Sequence, residues 1–321
     1  MAQFDFPLER LQSYFPEREE PEDFDAFWER TLAEARSLAV PAVSTPQDTA
    51  LERLLVDDVT FSGFGGHPIR AWFVRPPGPL RGTVVQFIGY SGGRGVPEQY
   101  TLLPSAGYGH FIVDNRGQGN LHHAGATPDP VGSGPHIGGL VSFGIERPED
   151  YYYRRVFTDA ALAVEAARAH PSVDRVAVAG SSQGGGIALA AAALAEDVSA
   201  ALIDVPFLSH FRRAVQVTEA NPYNELARYL QTRRGEEDEV FRVLSYFDGV
   251  NLATRATAPA LYSVGLYDNV CPPSTVYAQF NHYAGTDKSI HVYPYNGHEG
   301  GQWVQQREHL AFLCQVFGPA S

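Results

Sequence analysis

The sequence predicts an α/β protein with a mainly parallel central sheet flanked by helices, and three observations carry that expectation. Short apolar runs, among them Thr83 to Ile88, His110 to Val113, Ala200 to Asp204 and Ala260 to Val264, alternate with helix-forming stretches, the pattern that parallel strands joined by crossover helices require. The run from Arg175 to Ala195 passes from Val/Ala residues through Gly180-Ser181-Ser182-Gln183-Gly184 into an Ala/Leu-rich helix former, so a strand meets a sharp turn and then a helix. A content of 44% hydrophobic residues over 321 positions is enough for one large core.

The elements follow in order. Pro21 opens a helix in which Phe24, Phe27, Trp28, Thr31 and Leu32 share one face, so residues 1–50 read as a helical extension docked on the rest. Val59 to Ser62 and Ile69 to Val74 alternate around Gly63 to Pro68, an antiparallel hairpin. Thr83 to Ile88 is a buried strand running into the loop Gly89-Tyr90-Ser91-Gly92-Gly93-Arg94-Gly95, and His110 to Val113 is another, ending in Asp114-Asn115-Arg116-Gly117-Gln118-Gly119. Residues 120–150 are rich in Gly and Pro without periodicity and read as a long loop.

Tyr152 to Ala169 carries an apolar helical stripe that ends at His170-Pro171. After the Gly-x-Ser-x-Gly turn and the strand Ala200 to Asp204, residues 206–258 hold helical stretches and no strand, a lid-like insertion over the carboxyl edge of the sheet. The alternation resumes with Ala260 to Val264, a loop through Asp268, a helix from Ser274 to Tyr283, the strand Ser289 to Tyr293, a loop with His298, and a closing helix from Gln302 to Phe317. No internal repeat or interdomain linker interrupts the chain, so 1–321 reads as one domain with decorations.

Composition narrows the function classes. A formal charge of −13 argues against nucleic-acid or anionic-membrane partners and leaves a small neutral or cationic substrate. Cys271 and Cys314 are too few for a disulfide framework and lack metal-ligand spacing. The N-terminal residues lack a basic region followed by an apolar run, and no segment has 18 uninterrupted apolar residues, so a cytoplasmic location is expected.

The Gly-x-Ser-x-Gly turn points to nucleophilic catalysis by Ser182. Gly180 and Gly184 lack the Cβ that would collide at such a tight strand-helix junction. A serine hydroxyl needs a base to take its proton and a third group to orient that base. Of eleven histidines, His298 follows the last strand, in Gly297-His298-Glu299-Gly300-Gly301, and is the candidate base. Asp268 is the candidate orienting acid, with Asp248 and Asp204 as rivals. The order Ser, Asp, His is that of the α/β-hydrolase fold. The main-chain N–H groups of Gln183 and Tyr90 are the candidate oxyanion donors. His298-Glu299 also begins a zinc-protease motif, but Gln302 stands where the second histidine belongs, so no metal and no cofactor are expected. Glu299 reads instead as an acidic residue opening the last helix.

Together these motifs resemble carbohydrate esterase family 7, the acetyl xylan esterases and cephalosporin C deacetylases. The likeness rests on Arg116-Gly117-Gln118, on Gly180-Ser181-Ser182-Gln183-Gly184 and on His298-Glu299, with further runs at Tyr151 to Phe157, Asp204 to Leu208 and Asp268 to Thr275. It implies Ser182, His298 and Asp268 as a triad, Tyr90 and Gln183 as oxyanion donors, and a structural Arg116-Gly117-Gln118 motif in which Arg116 anchors the oxyanion loop from below. It also implies a homo-hexamer whose internal cavity admits small acetylated substrates. The 120–147 loop departs from the family pattern at His122, His123 and the glycine-rich 132–139 stretch. The implied reaction is removal of acetyl groups from acetylated sugars such as xylo-oligosaccharides, or from cephalosporin C, through an acetyl-enzyme. A general short-chain carboxylesterase, a peptidase of the prolyl oligopeptidase type and a catalytically silent binding protein of the same fold are the competing readings.

Overall fold

The computed structural model describes residues 3–131 and 139–318. Two helices, α1 (Leu8–Gln12) and α2 (Phe24–Ser37), precede three strands, β1 (Val43–Pro46), β2 (Leu55–Ser62) and β3 (Pro68–Arg75). Strands and helices then alternate through β4 (Thr83–Phe87), α3 (Leu102–Ser105), β5 (Gly109–Val113), α4 (Tyr152–Arg168), β6 (Val176–Ser181), α5 (Gln183–Leu194) and β7 (Val198–Asp204). Four helices follow without a strand: α6 (Phe211–Val217), α7 (Tyr223–Thr232), α8 (Glu237–Ser245) and α9 (Gly249–Ala253). The chain closes with β8 (Ala260–Gly265), α10 (Pro273–His282), β9 (Lys288–Tyr293) and α11 (Gln302–Phe317).

Among the described residues the strands form one nine-stranded sheet in the order β1-β2-β3-β5-β4-β6-β7-β8-β9. The first three pairings, from β1 through β5, are antiparallel, and every pairing from β5 to β9 is parallel. The parallel strands are apolar on both faces because helices cover both. Val85, Phe87, Val178, Ile203 and Tyr262 face a cluster shared with α2, α4, α5 and α10. Val84, Ala177, Leu202 and Leu261 face a smaller one with Leu103 of α3 and Leu313 and Phe317 of α11.

The N-terminal helix docks where its stripe requires. Trp28 Nε1 donates to the Tyr246 carbonyl at 3.0 Å, and Phe27 and Trp28 pack edge-on against Phe247. Residues 1–50 are nevertheless not helical throughout: Val43–Pro46 is an edge strand paired with β2. All four of its residues are exposed, so it has no alternation to read, and its proline is tolerated because an edge strand need not donate on its outer side. The 206–258 segment holds α6 to α9, and the described parts of the 120–150 loop contain no helix or strand. Of the glycine-rich 132–139 stretch, all but Gly139 falls outside the described residues.

Parallel strands carry their following loops to one carboxyl edge. Tyr90 after β4, Arg116 to Gln118 after β5, Ser182 after β6, Asp268 after β8 and His298 after β9 therefore gather on that edge.

Candidate active site

Ser182 sits between β6 and α5 with φ 58° and ψ −123°, a left-handed conformation that costs a serine about 1 to 3 kcal/mol. The surroundings hold it there: its N–H donates to the Asp204 carbonyl at 3.0 Å, and its carbonyl accepts from Gly186 N at 3.1 Å and Phe207 N at 2.9 Å. The flanking glycines are a steric necessity. A Cβ on Gly180 would lie 2.1 Å from the Gly184 carbonyl oxygen, and one on Gly184 would lie 2.2 Å from that of Phe87.

His298 and Asp268 meet the serine from two loops. Asp268 is fully buried, and its Oδ1 accepts from the N–H groups of Val270 at 2.8 Å and Cys271 at 2.9 Å. Its Oδ2 accepts from His298 Nδ1 at 2.8 Å. That bond places the imidazole proton on Nδ1 and leaves Nε2 as the acceptor for Ser182 Oγ, 2.8 Å away. Cys271, a free and buried thiol, lies beside this chain, and burial pushes its pKa well up, so it stays protonated.

The two rival acids are committed elsewhere. Asp204 accepts from Gln305 Nε2 at 2.9 Å and pairs with His309 Nε2 at 3.0 Å, tying β7 to α11. Asp248 caps α9 and accepts from the N–H groups of His210, Phe211 and Val250. Neither hydrogen-bonds to His298, whose ring nitrogens face Asp268 and Ser182.

The structure corrects the reading of Glu299. The last helix starts three residues later, after Gly300 and Gly301 turn the chain with φ 57° and 87°. The Glu299 carboxylate folds back instead, accepting from Asn296 Nδ2 at 2.8 Å and Gly297 N at 3.0 Å. These bonds, with its own backbone N–H, hold it below the usual carboxylate range, and it braces the turn that carries His298. Among the described residues no three His, Cys, Asp or Glu side chains stand close enough to hold a metal ion.

On the other side of Ser182, the main-chain N–H groups of Gln183 and Tyr90 have no acceptor among the described residues. Side chains fix both. Gln183 Nε2 donates to the Ile88 carbonyl at 3.1 Å and Asn115 Nδ2 to the same oxygen at 3.0 Å, holding the chain just before Tyr90. Gln118 Oε1 accepts from Ser91 N at 2.7 Å, holding the chain just after it. Gln183 Oε1 accepts from Tyr153 OH at 2.9 Å, and Gln118 Nε2 donates to Tyr152 OH, also at 2.9 Å.

Sequence reasoning missed Glu225 of α7. Tyr90 OH donates to its carboxylate at 2.8 Å and accepts from Leu140 N at 2.5 Å, so the helical insertion and the long loop both grip the Tyr90 side chain. Burial pushes Glu225 up, against the hydrogen bonds from Tyr90 and Val141. Nothing in a single sequence distinguishes this glutamate from the exposed acids of the same insertion.

Arg116 is an anchor, but not under the oxyanion loop. Its guanidinium is fully buried and doubly bonded to Asp159 of α4, at 2.6 and 2.7 Å. It also reaches Asp129 at 3.4 Å and the Phe64 carbonyl at 3.3 Å. Burial opposes its charge, yet Asp159 and Asp129 outweigh that and raise its pKa. Arg116 thus ties the hairpin turn, α4 and the long loop together. Gly117, at φ 68°, turns the chain so that Gln118, the next residue, holds the Tyr90 loop through Ser91 N.

The assembled groups can pass a serine proton to a histidine whose far nitrogen faces a buried carboxylate, next to two main-chain N–H donors that no described residue accepts from. Comparison with known proteins narrows the chemistry. The family model described as acetyl xylan esterase (AXE1) matches residues 1–316. The structure of an acetyl xylan esterase from Paenibacillus sp. R4 superposes with a TM-score of 0.91 at 37% identity, covering 97% of this chain and 100% of that one. Acetyl xylan esterase 1 from Thermoanaerobacterium sp. JW/SL YS485 superposes with a TM-score of 0.91 at 33% identity, covering 98% and 100%. Acetyl esterase Axe7A of Xylanibacter ruminicola is 26% identical over 308 residues, 88% of this chain, and the chain spans 64% of that protein's length.

Proposed function

This chain belongs to the acetyl xylan esterase family, and from that premise we propose that it is a serine esterase that removes acetyl groups from xylan-derived sugars and related small acetyl esters. The observation that carries the reading is the chain of two 2.8 Å hydrogen bonds from Ser182 through His298 to Asp268. Ser182 Oγ attacks the acetyl carbonyl while His298 Nε2 takes its proton. The carbonyl oxygen, now negative, is held by the N–H groups of Gln183 and Tyr90. Collapse of the tetrahedral intermediate breaks the ester bond, and His298 returns the proton to the departing sugar hydroxyl. Water then attacks the acetyl-enzyme with His298 again as base, and acetate leaves.

Finer points extend the same reading. Cephalosporin C, whose acetyl ester also leaves a small alcohol, is a further substrate. The free thiols of Cys271 and Cys314 fit a reducing, cytoplasmic setting. One core joins α2 to the sheet, which supports a single domain. A hexamer is the assembly that the family resemblance implies, and light scattering on purified protein tests it.

The deciding experiment is hydrolysis of p-nitrophenyl esters from acetate to octanoate by the wild type and by Ser182→Ala, followed by acetate release from acetylated xylo-oligosaccharides. Activity confined to short acyl chains and lost in the variant supports the proposal. Hydrolysis that survives Ser182→Ala refutes it.

A further inference from the structure

A cleft of about 490 Å³ opens on the sheet face covered by α3 and α11, in the size range of small-ligand sites. It exists because α3 is only four residues long and leaves the sheet uncovered between itself and α11. Gln86 of β4 and His110 of β5 form the floor. Tyr100 stands on one side, and Trp303 and Gln306 from the start of α11 on the other.

The lining carries no charge. Among the described residues that line it, the one ionisable group besides Tyr100 is His110, which burial keeps neutral by driving its pKa down to about 3. In a chain with 37 acidic and 24 basic residues, a cleft of this size without an ion selects a neutral ligand. It is nonetheless rich in hydrogen-bonding groups. His110 Nε2 donates to Gln86 Oε1 at 2.7 Å, which leaves the Gln86 amide hydrogens free, and the side-chain amides of Gln302 and Gln306 have no partner among the described residues. Beside them Trp303 is 76% exposed and has no aromatic or cationic neighbour among the described residues. A flat apolar ring next to unspent amides matches a molecule with one C–H face and a rim of hydroxyls.

We propose that this cleft is a second, non-catalytic site that binds a neutral saccharide, one sugar ring stacking on Trp303 while neighbouring hydroxyls bond to the Gln86, Gln302 and Gln306 amides. The proposal concerns the sugar ring and not its ester, so it stands apart from the esterase reading.

The test uses the full chain carrying Ser182→Ala, titrated with unacetylated xylotriose while tryptophan fluorescence and binding heat are followed. Of the three tryptophans, Trp28 is buried and Trp303 is the exposed reporter. A saturable response is expected, weakened roughly tenfold or more when Trp303→Ala is added, as for truncation of an aromatic anchor. Gln306→Ala, on the exposed helix surface, should weaken it several-fold with no effect on folding. In the otherwise wild-type enzyme, Trp303→Ala should raise KM for acetylated xylan and leave hydrolysis of p-nitrophenyl acetate unchanged. The proposal is overturned if xylotriose gives no saturable response. It is equally overturned if the response survives both substitutions, or if Trp303→Ala alters only the assembly mass, which would make this face a contact between copies. Loss of p-nitrophenyl acetate hydrolysis in the wild type would strike the esterase reading alone.

Discussion

The side-chain amides of Gln118 and Gln183 pair reciprocally: Gln118 Nε2 donates to Gln183 Oε1 at 3.0 Å, and Gln183 Nε2 donates to Gln118 Oε1 at 3.2 Å. The residue after the serine and the residue ending the Arg-Gly-Gln motif are thereby locked together, and each also holds one side of the Tyr90 loop. Replacing Gln118 with leucine releases that loop without touching the serine, histidine or aspartate. Because loss of one oxyanion donor typically costs about 10² to 10³ in rate, Gln118→Leu should lower kcat by about 10- to 100-fold with KM little changed. It also strands Ser91 N, while Tyr152 OH keeps its bond to the Arg116 carbonyl, so unfolding should come earlier, an unpaired buried group costing about 1 to 3 kcal/mol. Steady-state kinetics on p-nitrophenyl acetate and a thermal melt check both.

Asp268 and Asp204 give a clean contrast because each holds a histidine and only one of those histidines faces Ser182. Asp268→Asn should lower kcat by about 10⁴-fold with the fold intact, since an amide no longer enforces the Nδ1–H tautomer. Asp204→Asn disturbs the Gln305 and His309 contacts of α11, and should lower the melting temperature while keeping most of the activity. A variant pair that behaves the other way round would reassign the acid.

Why some of this was legible from the residues alone is a matter of locality. The Gly180 clash is with Gly184 itself, so a pentapeptide reveals it, and the convergence of Ser182, Asp268 and His298 follows once each is placed after a parallel strand. What was hidden depends on partners far along the chain. Glu225 reaches Tyr90 across 135 positions, and β1 is an exposed edge strand that only its partner β2 defines. Arg116 was legible as a buried charge, but its direction depends on Asp159, 43 positions away. Glu299 misled because an acid just ahead of a helix usually serves the helix N-terminus, whereas two left-handed glycines turn this one back onto its own loop.

The serine itself stores strain that can be measured. At φ 58° any residue with a Cβ is disfavoured, and glycine is not. Ser182→Gly relieves strain of about 1 to 3 kcal/mol and loses about 0.5 to 1 kcal/mol to the greater freedom of the unfolded chain. Both variants are inactive, so the comparison concerns stability alone: Ser182→Gly should melt at a higher temperature than Ser182→Ala. Gly180→Ala should yield no folded protein, because the added methyl meets backbone and not a movable side chain. Equal melting of the two serine variants would show that the turn relaxes once the hydroxyl is gone.

His110 sets a pH dependence whose sign follows from its burial. In the unfolded chain a histidine takes up a proton near pH 6.5, whereas in the folded protein burial holds this one neutral down to about 3. Between those values the unfolded state binds more protons, so the contribution is full above pH 6.5 and is lost as the pH falls toward 3, at about 1.4 kcal/mol per pH unit. His210, driven down to about 4 by burial and by Arg213, acts with the same sign. His170 and His282, also lowered by burial, add to the same trend, and His110→Gln removes one of these titrations while retaining an amide that can still donate to Gln86. Its melting temperature, followed from pH 7.5 to 4.5, should therefore fall less steeply than that of the wild type below pH 6.5, and the two profiles should run parallel above it. Profiles that run parallel throughout would mean that water reaches His110 in the folded state and that the floor of the α3–α11 cleft is open beneath the ring.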